Sequence, residues 1–97
     1  VSRNTAYGNS GDGISAGTGA SVLENTVYGN SGDGFQTSSG AIVQGNAARS
    51  NTGFGLNLGS QSGYRANVIT SNTAGTVNGG SLVNLGDNAC NGTTTCP

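Results

Sequence analysis

The sequence predicts an all-β solenoid, a parallel β-helix whose 21-residue coils stack along one axis. Three observations predict it. The first is an internal repeat of fixed period. Asn4–Ile14 reads NTAYGNSGDGI and Asn25–Phe35 reads NTVYGNSGDGF, with nine of eleven positions identical at a shift of 21. The second is that two asparagine columns keep this period without a gap: Asn4, Asn25, Asn46, Asn67 and Asn88, and Asn9, Asn30, Asn51 and Asn72. The third is composition. With 19 Gly, 32% hydrophobic and 7% charged residues, the chain is too poor in apolar side chains for an ordinary core of this size. A single Pro and a net charge of −1 do not fit disorder either. At 21 residues per coil, 97 residues make about 4.6 coils. We assign 1–89 to the repeats and 90–97 to a separate terminal loop.

The apolar residues justify the elements in order. They fall into columns of the same period: Val1, Val22, Val43, Tyr64, Leu85; Ala6, Val27, Ala48, Ile69, Cys90; Ile14, Phe35, Leu56, Val77; and Ala20, Ala41, Ser62, Val83. Each coil thus offers about four inward side chains, separated by Gly, Asn and Ser. The apolar runs are too short for helices and show no 3.6-residue periodicity. Their glycine density also opposes helix, so short strands broken by turns are predicted. One coil alone buries nothing. Stacked at ~4.8 Å, each strand pairs in parallel with its counterparts above and below, and residues 21 apart lie over one another. Stacked asparagines then form amide ladders, and Asn tolerates the left-handed backbone of tight corners. Gly8, Gly11 and Gly13 are expected at further positive-φ positions, with Gly17 and Gly19 closing the coil.

The motif N-T-x-Y-G-N-S-G-D-G-[IF], present twice, resembles the repeats of right-handed parallel β-helix proteins of the pectin-lyase-like superfold. The resemblance spans about residues 1–89. It implies the right hand of the helix and a three-faced cross-section. That superfold hosts lyases, hydrolases, tail-spike modules and structural repeats, so it does not fix an activity.

Composition excludes several chemistries. There is no His and no Lys, so neither a Ser–His nor a Ser–Lys nucleophile is available. The Gly-rich stretches precede no predicted helix and do not read as phosphate loops. Three Arg make no basic stripe for nucleic acid. No apolar run reaches the ~18 residues of a membrane span. Resembling enzymes that cleave polyuronates use clustered Asp, often with Ca²⁺, and a basic residue that abstracts the proton. Here the acidic residues are Asp12, Glu24, Asp33 and Asp87. Asp12 and Asp33 share a column, but Phe54 ends it. They are the candidates for Ca²⁺, although Asp in NSGDG reads first as a turn former. No cofactor, no metal and no enzymatic activity are expected. Tyr7, Tyr28 and Arg49 form an outward column, read as a surface ladder or as a platform for a glycan. The Thr residues make no regular array of the kind that binds ice. Asn91-Gly92-Thr93 is a glycosylation sequon.

The ends lead to the functional expectation. Cys90 and Cys96, without His or further Cys, are expected to form a disulfide, which points to an exported, extracellular protein. So small a loop stabilises by roughly 2–3 kcal/mol. A start at Val1 rather than Met is expected of a processed product or an excised fragment. The repeat begins at once at Val1, so the open first coil is expected either to continue into upstream coils of a longer β-helix or to stack on the end of another copy. Arg3, Glu24, Gly45, Ala66 and Asp87 share a column. A joint in register would set Arg3 of one copy against Asp87 of the next and continue the ladder from Asn88 to Asn4. In that register the expected assembly interface is Val1, Arg3, Asn4, Leu85, Asp87 and Asn88; a copy continuing directly from Pro97 would instead fill the incomplete last coil and break the column match. The leading expectation is a non-catalytic, secreted structural solenoid that self-associates head to tail into filaments. The alternative is a fragment of a larger carbohydrate-binding or polysaccharide-cleaving β-helix protein.

Overall fold

Each coil turns three corners, and each corner is made by one residue in the left-handed backbone region. The first corner column is Arg3, Glu24, Gly45, Ala66 and Asp87, with φ of 54°, 57°, 70°, 55° and 58°. The second is Gly8, Gly29, Ser50 and Ser71, and the third is Gly19, Gly40, Gln61 and Ser81. The ladder asparagines are not themselves left-handed, contrary to expectation. Each follows the left-handed residue by one position, which turns its side chain into the solenoid. Gly8 has positive φ as expected, but Gly11 and Gly13 do not; of the pair expected to close the coil, Gly19 takes the left-handed corner. Gly13 is glycine for a different reason: a Cβ there would lie 2.7 Å from the Gly34 carbonyl oxygen. Gly34 meets the Gly55 oxygen at the same distance, so neither position admits a side chain, and the column carries one only at its end, at Thr76.

Between corners run thirteen strands of two to four residues, and the computed structural model, which describes residues 1–96, contains no helix among them. They form three parallel sheets, so the cross-section has three faces. The first sheet stacks β1 (Thr5–Tyr7), β4 (Thr26–Tyr28), β7 (Ala47–Arg49), β10 (Val68–Thr70) and β13 (Ala89–Cys90). The second stacks β2 (Ile14–Ala16), β5 (Phe35–Thr37), β8 (Phe54–Asn57) and β11 (Gly75–Asn78). The third stacks β3 (Ser21–Leu23), β6 (Ile42–Gln44), β9 (Gly63–Arg65) and β12 (Val83–Gly86).

Register follows the predicted columns on two faces. Ala6, Val27, Ala48, Ile69 and Cys90 stack in the first sheet. Ile14, Phe35, Leu56 and Val77 stack in the second. In the third sheet Val22, Val43 and Tyr64 stack as expected, but the column then breaks. Val83 pairs with Gly63 and Asn84 with Tyr64, so the coil ending there is one residue short. Leu85 is the extra residue of a bulge before Gly86 pairs with Arg65, which restores the period. Two expected positions are therefore corrected. Leu85 does not stack under Tyr64; it is 53% exposed and lies against the bare surface of Gly63. Val83 does not continue the Ala20–Ala41–Ser62 column either. It faces outward, and Leu82, which follows the left-handed Ser81, packs on the core instead.

The interior is a narrow stack in which Val22, Val27, Phe35, Val43, Leu56, Tyr64 and Ile69 are fully buried. Burial is greatest in the middle coils and falls toward the first, where Val1 is 52% exposed and Ala6 and Ile14 are half-buried. A thin core has to be closed at its corners, and the asparagines do this. Asn25, Asn30, Asn46, Asn51, Asn67 and Asn88 are all buried.

Candidate functional site

No concave pocket forms among the described residues, so any functional chemistry lies on the faces or at the ends. The asparagine ladders set the polarity of the ends. In each rung the backbone N–H and Nδ2 of one Asn both donate to Oδ1 of the Asn one coil on. For Asn25 and Asn46 these bonds are 2.9 and 3.1 Å. Nδ2 also donates across the corner to a backbone carbonyl, as Asn46 does to Val22 at 2.8 Å. Inside the stack every buried amide is thereby satisfied. At the first coil, Oδ1 of Asn4 and of Asn9 accepts nothing among the described residues. At the last coil, Asn88 Oδ1 accepts from Asn67 at 3.0 Å. Its Nδ2 turns to Asn84 Oδ1 at 2.9 Å, and its N–H has no acceptor among the described residues. One end carries ladder acceptors and the other a ladder donor.

The charged residues assigned to the interface sit on one corner column. Arg3 lies 3.8 Å from Glu24, as its column position predicts. Asp87 lies 3.9 Å from Arg65, a pairing that column reasoning missed because Arg65 is a strand residue of the preceding coil. Both pairs are highly exposed and contribute little to stability. Val1 sits over Val22 through the Ser2–Leu23 bridge, while its ammonium donates to the Ser21 carbonyl at 2.8 Å. Val1, Arg3 and Asn4 lie in the first coil, and Asp87 and Asn88 in the last. Leu85, the sixth expected interface residue, is displaced onto the outer face by the bulge.

Cys90 and Cys96 are disulfide-bonded, with Cα atoms 5.5 Å apart. Pro97, assigned with them to the 90–97 loop, lies outside the described residues. The loop does more than staple. Cys90 donates its N–H to the Thr93 carbonyl at 2.8 Å, and Thr93 returns its N–H to the Cys90 carbonyl at 3.1 Å. This is an antiparallel bridge around Asn91 (φ 52°) and Gly92 (φ 80°). Asn-Gly with both residues left-handed is the commonest two-residue hairpin turn. The signal was in the sequence, hidden by reading Asn91-Gly92-Thr93 only as a sequon. In the coil above, the equivalent Ile69 carbonyl accepts the Asn91 N–H at 2.8 Å. Thr93 therefore occupies the edge of β13 that would otherwise pair with a further coil.

Asp12 and Asp33 stack as predicted, but as a carboxylate ladder. Asp12 Oδ1 accepts the Asp33 N–H at 2.8 Å, and Asp33 Oδ1 accepts the Phe54 N–H at 2.8 Å. Their second oxygens accept from Ser15 Oγ at 3.2 Å and Asn57 Nδ2 at 2.9 Å. All four oxygens have protein donors, and no group of three ligating side chains forms among the described residues. The ladder also explains two glycines, because a Cβ at Gly32 or Gly53 would collide with the carboxylate of Asp12 or Asp33.

Tyr7 and Tyr28 stack with ring centroids 5.0 Å apart and planes at 2°, and Arg49 caps the stack 5.1 Å from the Tyr28 centroid. The outer face of Tyr7 is the one face left uncovered within the column. This arrangement suits a surface ladder. No helix among the described residues is long and apolar enough to cross a membrane. Comparison with known proteins gives no matching family model, no matching curated protein and no matching solved structure.

Proposed function

We propose that this chain is a non-catalytic structural β-solenoid that works by stacking its ends onto another β-solenoid layer, assembling head to tail into extracellular filaments. One observation carries the reading: the polarity of the asparagine ladders. Among the described residues, Oδ1 of Asn4 and of Asn9 in the first coil accepts nothing, and the N–H of Asn88 in the last coil has no acceptor. Like ends would oppose acceptor to acceptor, whereas unlike ends reproduce the Asn67–Asn88 rung seen inside the molecule. A net charge of −1 leaves little repulsion against such stacking. A disulfide fits an oxidising setting such as the cell exterior. Sedimentation velocity and negative-stain microscopy, run with the thiols oxidised and again reduced, test the proposal. Thin fibres or concentration-dependent oligomers are expected in at least one state. A single monomeric boundary at high concentration in both removes it.

The exposed tyrosine stack favours one second reading. A piece of a larger carbohydrate-binding β-helix protein of the pectin-lyase-like kind would use the uncovered face of Tyr7 for a sugar ring. Calorimetric titration with polyuronates and neutral glycans, with Tyr7→Ala as control, should then give heat that the variant loses. No heat from the unaltered chain sinks this reading.

A further inference from the structure

We propose that the Cys90–Cys96 loop is a redox-released lock on head-to-tail stacking. The inference rests on the end-to-end reading above and names its control. A joint that continues the ladder from Asn88 to Asn4 sets β1 of one copy beneath β13 of the next. In that register Cys90 would donate its N–H to the incoming Thr5 carbonyl and accept the N–H of Tyr7, as Ile69 does with Ala89 and Asn91 inside the molecule. Ser2 contributes a bridge to Leu23 in the third sheet, whereas β1 is a full strand of the first. The joint therefore depends on the lower edge of β13, and Thr93 holds that edge through both Cys90 hydrogen bonds.

The disulfide is what keeps Thr93 there. A two-residue hairpin in water is marginal by itself. Asn91, at the turn, is tied to the preceding coil by its N–H to the Ile69 carbonyl at 2.8 Å and by its Oδ1, which accepts the Ser71 N–H at 3.1 Å; Thr93 itself has only Oγ1 to the Cys90 carbonyl at 3.1 Å and weaker contacts with Thr95 at 3.3 and 3.4 Å beside its backbone bridge. A dithiol releases it in two exchange steps. A thiolate of the reductant attacks one sulfur, the Cys90–Cys96 bond breaks, and a mixed disulfide forms. The second thiol of the reductant then displaces the remaining cysteine. Two electrons pass to the protein, Cys90 and Cys96 each gain a proton, and the dithiol leaves as its own disulfide. The freed segment peels from β13, and a second copy takes its place.

The test compares sedimentation of oxidised chain, chain treated with dithiothreitol, and Cys96→Ser. Circular dichroism on each sample establishes that the solenoid persists. The oxidised chain should give one narrow slow boundary. The reduced chain and Cys96→Ser should give fast, polydisperse material that grows with concentration. Asn4→Ala, which removes the incoming acceptor from an exposed rung, should return the reduced chain to the slow boundary. Equal assembly in oxidised and reduced samples overturns the lock and leaves end-to-end stacking standing. Absence of assembly in every folded sample overturns both. Should Cys96→Ser fail to fold, the dithiol-treated wild-type chain decides between the same outcomes.

Discussion

Two buried polar residues show how narrow the margins are in a core this thin. Tyr64 is fully buried in the column that begins with valines, and its hydroxyl has no hydrogen-bond partner among the described residues. Such an orphan costs roughly 1–3 kcal/mol. Tyr64→Phe removes it at nearly constant shape and should raise stability by about 1 kcal/mol in urea denaturation. Burial also pushes the Tyr64 phenol above its ordinary value, because desolvation penalises the phenolate. The unfolded chain then loses its proton first as pH rises. Stability from this group is complete below the ordinary tyrosine range near pH 10 and falls as pH climbs through it. An alkaline denaturation profile that is flatter in Tyr64→Phe bears this out, and superimposable profiles refute it. Asn46 presents the opposite case. It accepts from Asn25 and donates to Val22, Gln44 and Asn67, all within 2.8–3.1 Å. Asn46→Ala leaves several buried groups unpaired and should cost about 3 kcal/mol or more. Asn4→Ala, at an exposed rung, should cost less than ~1 kcal/mol. Equal losses in thermal melts of the two variants would show that the ladder does not stabilise by burial.

At the level of strands and corners, most of what the structure contains was legible in the residues, and the exceptions share one cause. A parallel stack repeats every environment, so a period of 21 places the strands, the whole Ala6 and Ile14 columns, and the Val22 column as far as Tyr64. Periodicity records where side chains recur, but it carries no information on backbone sign. That is why the left-handed position was assigned to the asparagines and not to Arg3, Glu24 and Ala66 before them. It also presumes a constant coil length. The 20-residue step from Gly63 to Val83 was invisible, because the Asn67–Asn88 rung on either side kept perfect phase. The corners give a direct test. Ala66 has φ 55°, is exposed, and follows Gly45 in its column. A left-handed alanine costs about 1–2 kcal/mol and glycine escapes it at some entropic loss. Ala66→Gly should therefore raise the urea midpoint by the equivalent of about 0.5–1 kcal/mol. A lowered midpoint would mean that this corner is not held in the left-handed region in solution.

Across the whole molecule, cohesion passes from coil to coil and no layer is independent. Phe35 lies fully buried between Ile14 and Leu56, with coils on both sides. Phe35→Asp places an unpaired charge at that depth and should abolish the β-sheet circular dichroism of the entire chain. A folded variant would disprove the column. The candidate ends were only partly legible. Asn4, Asn88 and Arg3 could be placed by counting, since they obey the period. The sealed edge at Cys90 could not, because the segment that seals it runs antiparallel and leaves the period behind.

The bulge at Leu85 has a consequence for how such a chain tolerates change in length. One residue is missing before Val83 and one is added two positions later, and the next asparagine rung closes at 3.0 Å as though neither had occurred. A face can thus absorb a deletion as a crystal heals a dislocation, within a few ångströms and without disturbing the layers beyond. Repeats built this way can lengthen, shorten and diverge along their sides while the corner amides keep count.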